Sequence, residues 1–212
     1  MHTDASRNAR LPRGGLYAIS DGPRADLLAI CEAALRGGAV LLQYRDKSTD
    51  FARRHDEAAA LAALCADFNV PLIINDEIEL AARVGAAGVH LGEGDATVAS
   101  ARARLGAGAI IGVSCYNAIE RARHAVAEGA DYLAFGTFYP SPTKPNALHA
   151  TPGLLRTARP LGLPLVAIGG ITADNAQPLL DAGVDFLAVV SGVFDADDPA
   201  AAAQRYANLF TK

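Results

Sequence analysis

The sequence predicts an α/β protein folded as a single-domain (β/α)8 TIM barrel, and three observations lead there. Short apolar runs of strand length alternate with longer stretches rich in Ala, Leu, Arg and Glu, eight pairs in all. The runs are almost continuously hydrophobic, which is the mark of parallel strands covered by helices on both faces. Four junctions repeat one phrase, RGGAVLLQ, VGAAGVHLG, EGADYLAFG and DAGVDFLAVV, in which glycine ends a helix in the left-handed conformation and a strand begins at once. Eight such units in 212 residues favour a closed barrel over an open doubly wound sheet.

Taken in order, the pairs are LYAIS with DLLAICEAALRG, AVLLQYRDK with DFARRHDEAAALAALCADF, and PLIIND with EIELAARVG. GVHLG follows with DATVASARARLG, then IIGVS with NAIERARHAVAEG. YLAFGTF leads through a long loop to LLRTARP, PLVAIGG to TADNAQPLLDAG, and FLAVVSG to PAAAAQRYANLF. Nothing divides the chain into two domains, so residues 1–14 read as a polar amino-terminal extension and 15–212 as the barrel.

Composition narrows the function classes. Half of the residues are hydrophobic and a fifth are charged, as in an ordinary soluble domain. The longest apolar runs fall well short of the ~18 residues of a membrane span, and the amino terminus has no signal-like apolar segment, so a cytoplasmic protein without membrane partner is expected. A net charge of −4 gives no reason to expect nucleic-acid binding. Cys31, Cys65 and Cys115 match neither a disulfide framework nor a zinc pattern.

In a barrel the functional groups sit at the C-terminal ends of the strands. The second strand ends in Gln43, Arg45 and Lys47 on one face and Tyr44 and Asp46 on the other. Two cations and an amide rising from a buried strand call for an anion, and a phosphate or pyrophosphate suits them. The third strand ends in Asn75 and Asp76, and the fourth runs through His90 to Asp95. Taken singly, each aspartate reads equally as a helix N-cap, but facing a polyphosphate site the pair supplies the hard oxygens Mg2+ takes. His90, inside an apolar run, reads as a core histidine. The fifth strand ends in Ser114, a phosphate donor or a helix start. Gly169-Gly170 after the seventh strand and Val190-Ser191-Gly192 after the eighth lie where such barrels often hold a phosphate. Two phosphate-competent places imply two phosphorylated small-molecule substrates and a coupling reaction. The loop FGTFYPSPTKPNALHATPG, residues 135–153, is much longer than a usual connection and carries Ser141, Pro142, Thr143 and Lys144.

These strand ends together resemble the thiamine phosphate synthase family. The matching pieces are QYRDK, IINDEIELA, GVHLGEGD, GVS, FGTFYPSPTK, VAIGGIT and VVSG, spread from about residue 16 to 195. The resemblance implies a transferase, a (β/α)8 barrel that joins 4-amino-5-hydroxymethyl-2-methylpyrimidine diphosphate to a thiazole phosphate through a dissociative, carbocation-like step. It places Gln43, Arg45, Lys47, Asn75, Ser114 and Lys144 on the pyrimidine diphosphate. Asp76 and Asp95 would bind Mg2+, and Ser141, Pro142, Thr143, Gly170, Val190 and Ser191 would hold the thiazole phosphate. The chain departs from the family's usual residues at Glu93, Thr137, Ser141 and Cys115-Tyr116, none of which removes a proposed charged group. A thiazole tautomerase on the same scaffold would not need the diphosphate and metal groups, and a non-catalytic phosphate-binding barrel is the rival from another class.

Overall fold

The computed structural model describes residues 10–140 and 149–211. Strands and helices alternate as the apolar runs require: β1 (Gly15–Ile19), α1 (Leu27–Arg36), β2 (Ala39–Tyr44), α2 (Phe51–Asp67), β3 (Leu72–Asn75), α3 (Ile78–Val84), β4 (Gly88–Leu91), α4 (Val98–Leu105), β5 (Ile110–Tyr116), α5 (Ile119–Ala127), β6 (Tyr132–Gly136), α6 (Pro152–Ala158), β7 (Leu165–Ile168), α7 (Gln177–Asp181), β8 (Phe186–Val189), α8 (Ser191–Phe194) and α9 (Pro199–Ala207). Each strand pairs in parallel with the next, and β8 pairs with β1, so the sheet is a closed barrel. The short helix α8 is an addition to the single final helix expected from sequence. Asp198 begins α9 afresh by accepting from the Ala201 amide at 3.0 Å, so the two helices stay separate.

Alternation along the strands builds two cores. Tyr17, Leu41, Ile73, Ile110, Tyr132, Val166 and Phe186 fill the barrel, while their neighbours Ala18, Leu42, Ile74, Ile111, Leu133 and Leu187 pack outward against the helices. Leu11, before β1, is buried with the interior set. Among the described residues no helix is long and apolar enough to cross a membrane.

The repeated junction phrases do more than stop helices. Their closing glycines, Gly38, Gly85, Gly129 and Gly183, have φ between 65° and 97°. In two of the phrases the next polar residue is an aspartate that clamps the end of the barrel where strands begin. Asp131 accepts from the Ile111 amide at 2.7 Å and from Arg102 at 2.8 Å. Asp185 accepts from the Leu165 amide at 2.8 Å and from Arg159 at 2.6 Å. Charge-assisted bonds to a nearly buried carboxylate are worth roughly 1.5–3 kcal/mol. Asp131→Ala and Asp185→Ala are therefore each expected to lose about 2 kcal/mol of stability in urea unfolding with unchanged kinetic constants, since this end of a barrel carries stability and the other carries chemistry.

Candidate active site

The opposite end of the barrel gathers polar groups from the strand ends. At β2 the alternation read from the sequence separates two sets of partners. Tyr44 and Asp46 turn toward α2, where the Tyr44 hydroxyl donates to Glu57 at 2.6 Å and Asp46 pairs with Arg53 at 2.8 Å. Asp46 also accepts from the Ser48 amide at 2.7 Å, and Arg53 donates to Glu57 at 2.7 Å, so the segment after β2 is held from beneath by α2. The backbone of Arg45 is fixed from β1 by the buried Ser20 hydroxyl, which accepts from its amide at 2.8 Å. Lys47 reaches across to β3, its Nζ 3.5 Å from Asp76 Oδ2.

Asp76 holds a left-handed backbone conformation, φ 63°, rare outside glycine and tolerated best by Asn and Asp. Its amide donates to the His90 carbonyl at 2.8 Å, and its carboxylate accepts from the Asn75 side chain at 2.6 Å. Asp95 is set by the Gly92 amide at 2.6 Å, within a turn also braced by the Tyr116 hydroxyl accepting from the Glu93 amide at 3.2 Å. Neither aspartate caps a helix: α3 is preceded by Glu77, and α4 is capped by Thr97. Partial burial and the neighbouring Asp95 carboxyl raise the Asp76 pKa above the usual carboxylate range, and Lys47 offsets this only in part. Two like-charged carboxyls held together at a barrel mouth are matched by a small cation. Among the described residues no three acidic, His or Cys side chains are grouped so that they could hold a metal ion, so these two carboxylates would need substrate oxygens or water to complete a coordination shell.

Gln43 and Ser114 project into the barrel rather than out of it. Gln43 is 2% exposed and donates from Nε2 to the Tyr17 hydroxyl at 2.6 Å. Ser114 lies 2.8 Å from His90 Nε2. His90 is, as read, a satisfied core histidine, and burial pushes its pKa down to about 4.

On the far side of the mouth, a cavity of about 260 Å3 is lined by Pro140, residues 168–172 and residues 188–192, and so includes Gly170, Val190 and Ser191. Gly170, at φ 63°, lets the loop after β7 pass under the carbonyls of Tyr139 and Pro140; a Cβ there would lie 2.5 Å from the Pro140 oxygen. Asn175, a residue the sequence did not single out, shapes that loop by accepting from the Thr172 amide at 2.9 Å and donating to the Gly170 carbonyl at 3.0 Å. Tyr139 joins it, donating to the Asn175 carbonyl at 2.7 Å. Ser141, Pro142, Thr143 and Lys144 lie outside the described residues. A larger groove of about 690 Å3 runs along the outer surface between α2 and α3, but it lacks the convergence of strand ends that marks the barrel mouth.

A family model described as thiamine monophosphate synthase matches residues 16–193. The thiamine-phosphate synthase of Thiobacillus denitrificans is 55% identical over 200 residues, covering 93% of this chain and 95% of that protein. That of Xanthomonas campestris pv. campestris is 55% identical over 208 residues, 97% of this chain and 98% of the relative. Among solved structures, thiamine phosphate pyrophosphorylase from Pyrococcus furiosus superposes with a TM-score of 0.85 at 32% identity, covering 95% of this chain and 97% of that one. A 3-hexulose-6-phosphate synthase, TM-score 0.67 at 18% identity, shares the fold alone.

Proposed function

The chain belongs to the thiamine monophosphate synthase family, and from that membership we propose that it joins 4-amino-5-hydroxymethyl-2-methylpyrimidine diphosphate to 4-methyl-5-(2-phosphoethyl)thiazole, or its carboxylated form, giving thiamine phosphate and pyrophosphate. The observation that carries this reading is the meeting of Lys47, Asp76 and Asp95 at one side of the mouth, opposite a separate cavity under β7 and β8. One side suits a diphosphate with its metal and the other a monophosphate. That division is what two phosphorylated substrates need.

The reaction is then mainly a matter of electrostatics and positioning. As the bond from the pyrimidine methylene carbon to the diphosphate oxygen breaks, negative charge grows on the leaving group. Arg45 and Lys47, with Lys144 from the loop after β6, oppose that charge. Asp76 and Asp95 would hold Mg2+, which supplies further positive charge to the diphosphate oxygens when bound. Gln43 and Ser114, set deeper in the barrel, offer an amide and a hydroxyl to the aminopyrimidine, whose ring delocalises the positive charge left on the methylene carbon. Asn75 orients the Asp76 carboxylate. The thiazole nitrogen attacks that carbon, placed by its phosphate at Gly170, Val190 and Ser191, and the sequence assigns Ser141, Pro142 and Thr143 to the same phosphate. No protein nucleophile is required, because bringing the two rings together supplies much of the rate. The three free cysteines are all buried, in keeping with a proposed cytoplasmic location.

Purified protein given both substrates and Mg2+ is expected to form thiamine phosphate and pyrophosphate in equal amounts, with either product absent when one substrate or the cation is withheld. Absence of both products from the complete mixture would overturn the assignment.

A further inference from the structure

Four hydrogen bonds run in series through the barrel interior and link five strands. Gln43 Nε2 donates to the Tyr17 hydroxyl at 2.6 Å, and the Tyr17 and Tyr132 hydroxyls lie 2.9 Å apart. Tyr132 is 3.0 Å from His90 Nδ1, and His90 Nε2 is 2.8 Å from Ser114 Oγ. The three middle residues are buried, with Tyr17 1%, Tyr132 0% and His90 9% exposed. The His90 and Tyr132 rings also stack, with centroids 5.6 Å apart.

Counting hydrogens decides which way this series points. The two ring nitrogens of buried His90 meet only the Tyr132 and Ser114 hydroxyls, the setting of a neutral imidazole with one N–H, and each buried tyrosine hydroxyl carries one hydrogen. Four hydrogens, one each from Tyr17, Tyr132, His90 and Ser114, are available for the three links beyond Gln43, so one of them is left over. Since Tyr17 already accepts from the Gln43 amide nitrogen, its own hydrogen has one acceptor, the Tyr132 oxygen. Tyr132 must then donate to His90 Nδ1, which leaves the imidazole hydrogen on Nε2, facing Ser114. With the Gln43 amide nitrogen facing Tyr17, any other arrangement strands a hydroxyl hydrogen in the dry interior, where an unmade bond is costly.

We propose that this series is a polarity relay: Gln43, Tyr17, Tyr132 and His90 fix the Ser114 oxygen as an acceptor within the protein, so that its own hydrogen points into the site as a donor to substrate. Tyr17, Tyr132 and His90 are thereby positioning residues for Ser114. The inference rests on the reading of Ser114 as a substrate contact, but the direction of the relay is a property of the protein alone. It also explains why two tyrosines and a histidine occupy inward positions that aliphatic side chains could fill.

The test is the tautomer of His90, measured on the ligand-free protein by long-range 1H–15N NMR with 15N-labelled histidine, the signal being identified by its loss in His90→Asn. The Nε2–H form is expected. The Nδ1–H form would overturn the proposal, since it means that the series runs from Ser114 toward a Gln43 carbonyl oxygen. Tyr132→Phe, which keeps the ring and removes the central hydroxyl, is expected to give a mixture of tautomers and to lower kcat/KM by up to about tenfold, the worth of one hydrogen bond. An unchanged single tautomer in that variant would also overturn the relay. Failure of the wild type to make thiamine phosphate would instead overturn the synthase reading and leave the tautomer result standing.

Discussion

Asp76→Asn is expected to lower Mg2+-dependent turnover by about 100-fold or more while leaving the protein folded. Asparagine suits the backbone there, because φ 63° is a conformation it adopts readily, and it keeps the shape of the side chain. What it removes is one of the two carboxylates that meet at the mouth. The same substitution has a pH signature in the absence of divalent cations. Burial and the Asp95 carboxyl raise the pKa of Asp76 in the folded protein. A raised carboxyl favours the folded state in acid and loses that contribution as pH climbs from about 4, its unfolded value, through the raised one. Wild-type protein in EDTA should therefore fall below Asp76→Asn in thermal stability over that window, with the two converging at lower pH. Added Mg2+ should raise the wild-type midpoint and not that of the variant. Wild-type turnover in Asp76→Asn would remove this carboxylate from the metal site.

Gly88→Ala is expected to cost about 3 kcal/mol or more, at the upper end of overpacking effects, and to lower Tm by roughly 6–12 °C. Gly88 opens β4 opposite Ile110 on β5. A Cβ built on it would lie 1.7 Å from the Ile110 carbonyl oxygen and 2.6 Å from its carbon. Those are backbone atoms of a paired strand, so no side-chain rotation relieves the clash. Gly153→Ala in α6 is the control, because its nearest neighbour is the Thr151 hydroxyl at 3.5 Å and alanine is the better helix former. Differential scanning calorimetry of both variants should separate them clearly; equal midpoints would show that β4 can move aside without loss.

The parts of this protein legible in its sequence are those written in local pattern. Inward and outward strand residues follow a period of two, so the barrel, and the separation of Lys47 from Asp46, can be read from neighbouring letters. Strand-end residues such as Asp76 and Asp95 stand out because charge interrupts an apolar run. The interior series was not legible for the opposite reason. Tyr17 and Tyr132 sit within apolar runs and are 115 residues apart, so each looks like ordinary core until closure brings their hydroxyls together. A signal was nevertheless present, since a tyrosine on a fully buried strand needs a partner for its hydroxyl. Arg53 and Arg54 were also missed. Nothing in their charged helix marks them out, yet Arg54 is 6% exposed and joins the Ser48 carbonyl, at 3.1 Å, to Glu77. Asn175 escaped notice because its bonds are made to a loop whose shape only the folded chain defines.

The aspartate clamps at the closed end of the barrel share no hydrogen-bond partner with Lys47, Asp76 or Asp95. Free-energy changes made at sites so separated should simply sum. Reinforcing the strand starts could then offset the instability that altered mouth loops bring, and the chain would tolerate variation in its loops for as long as those two junctions hold.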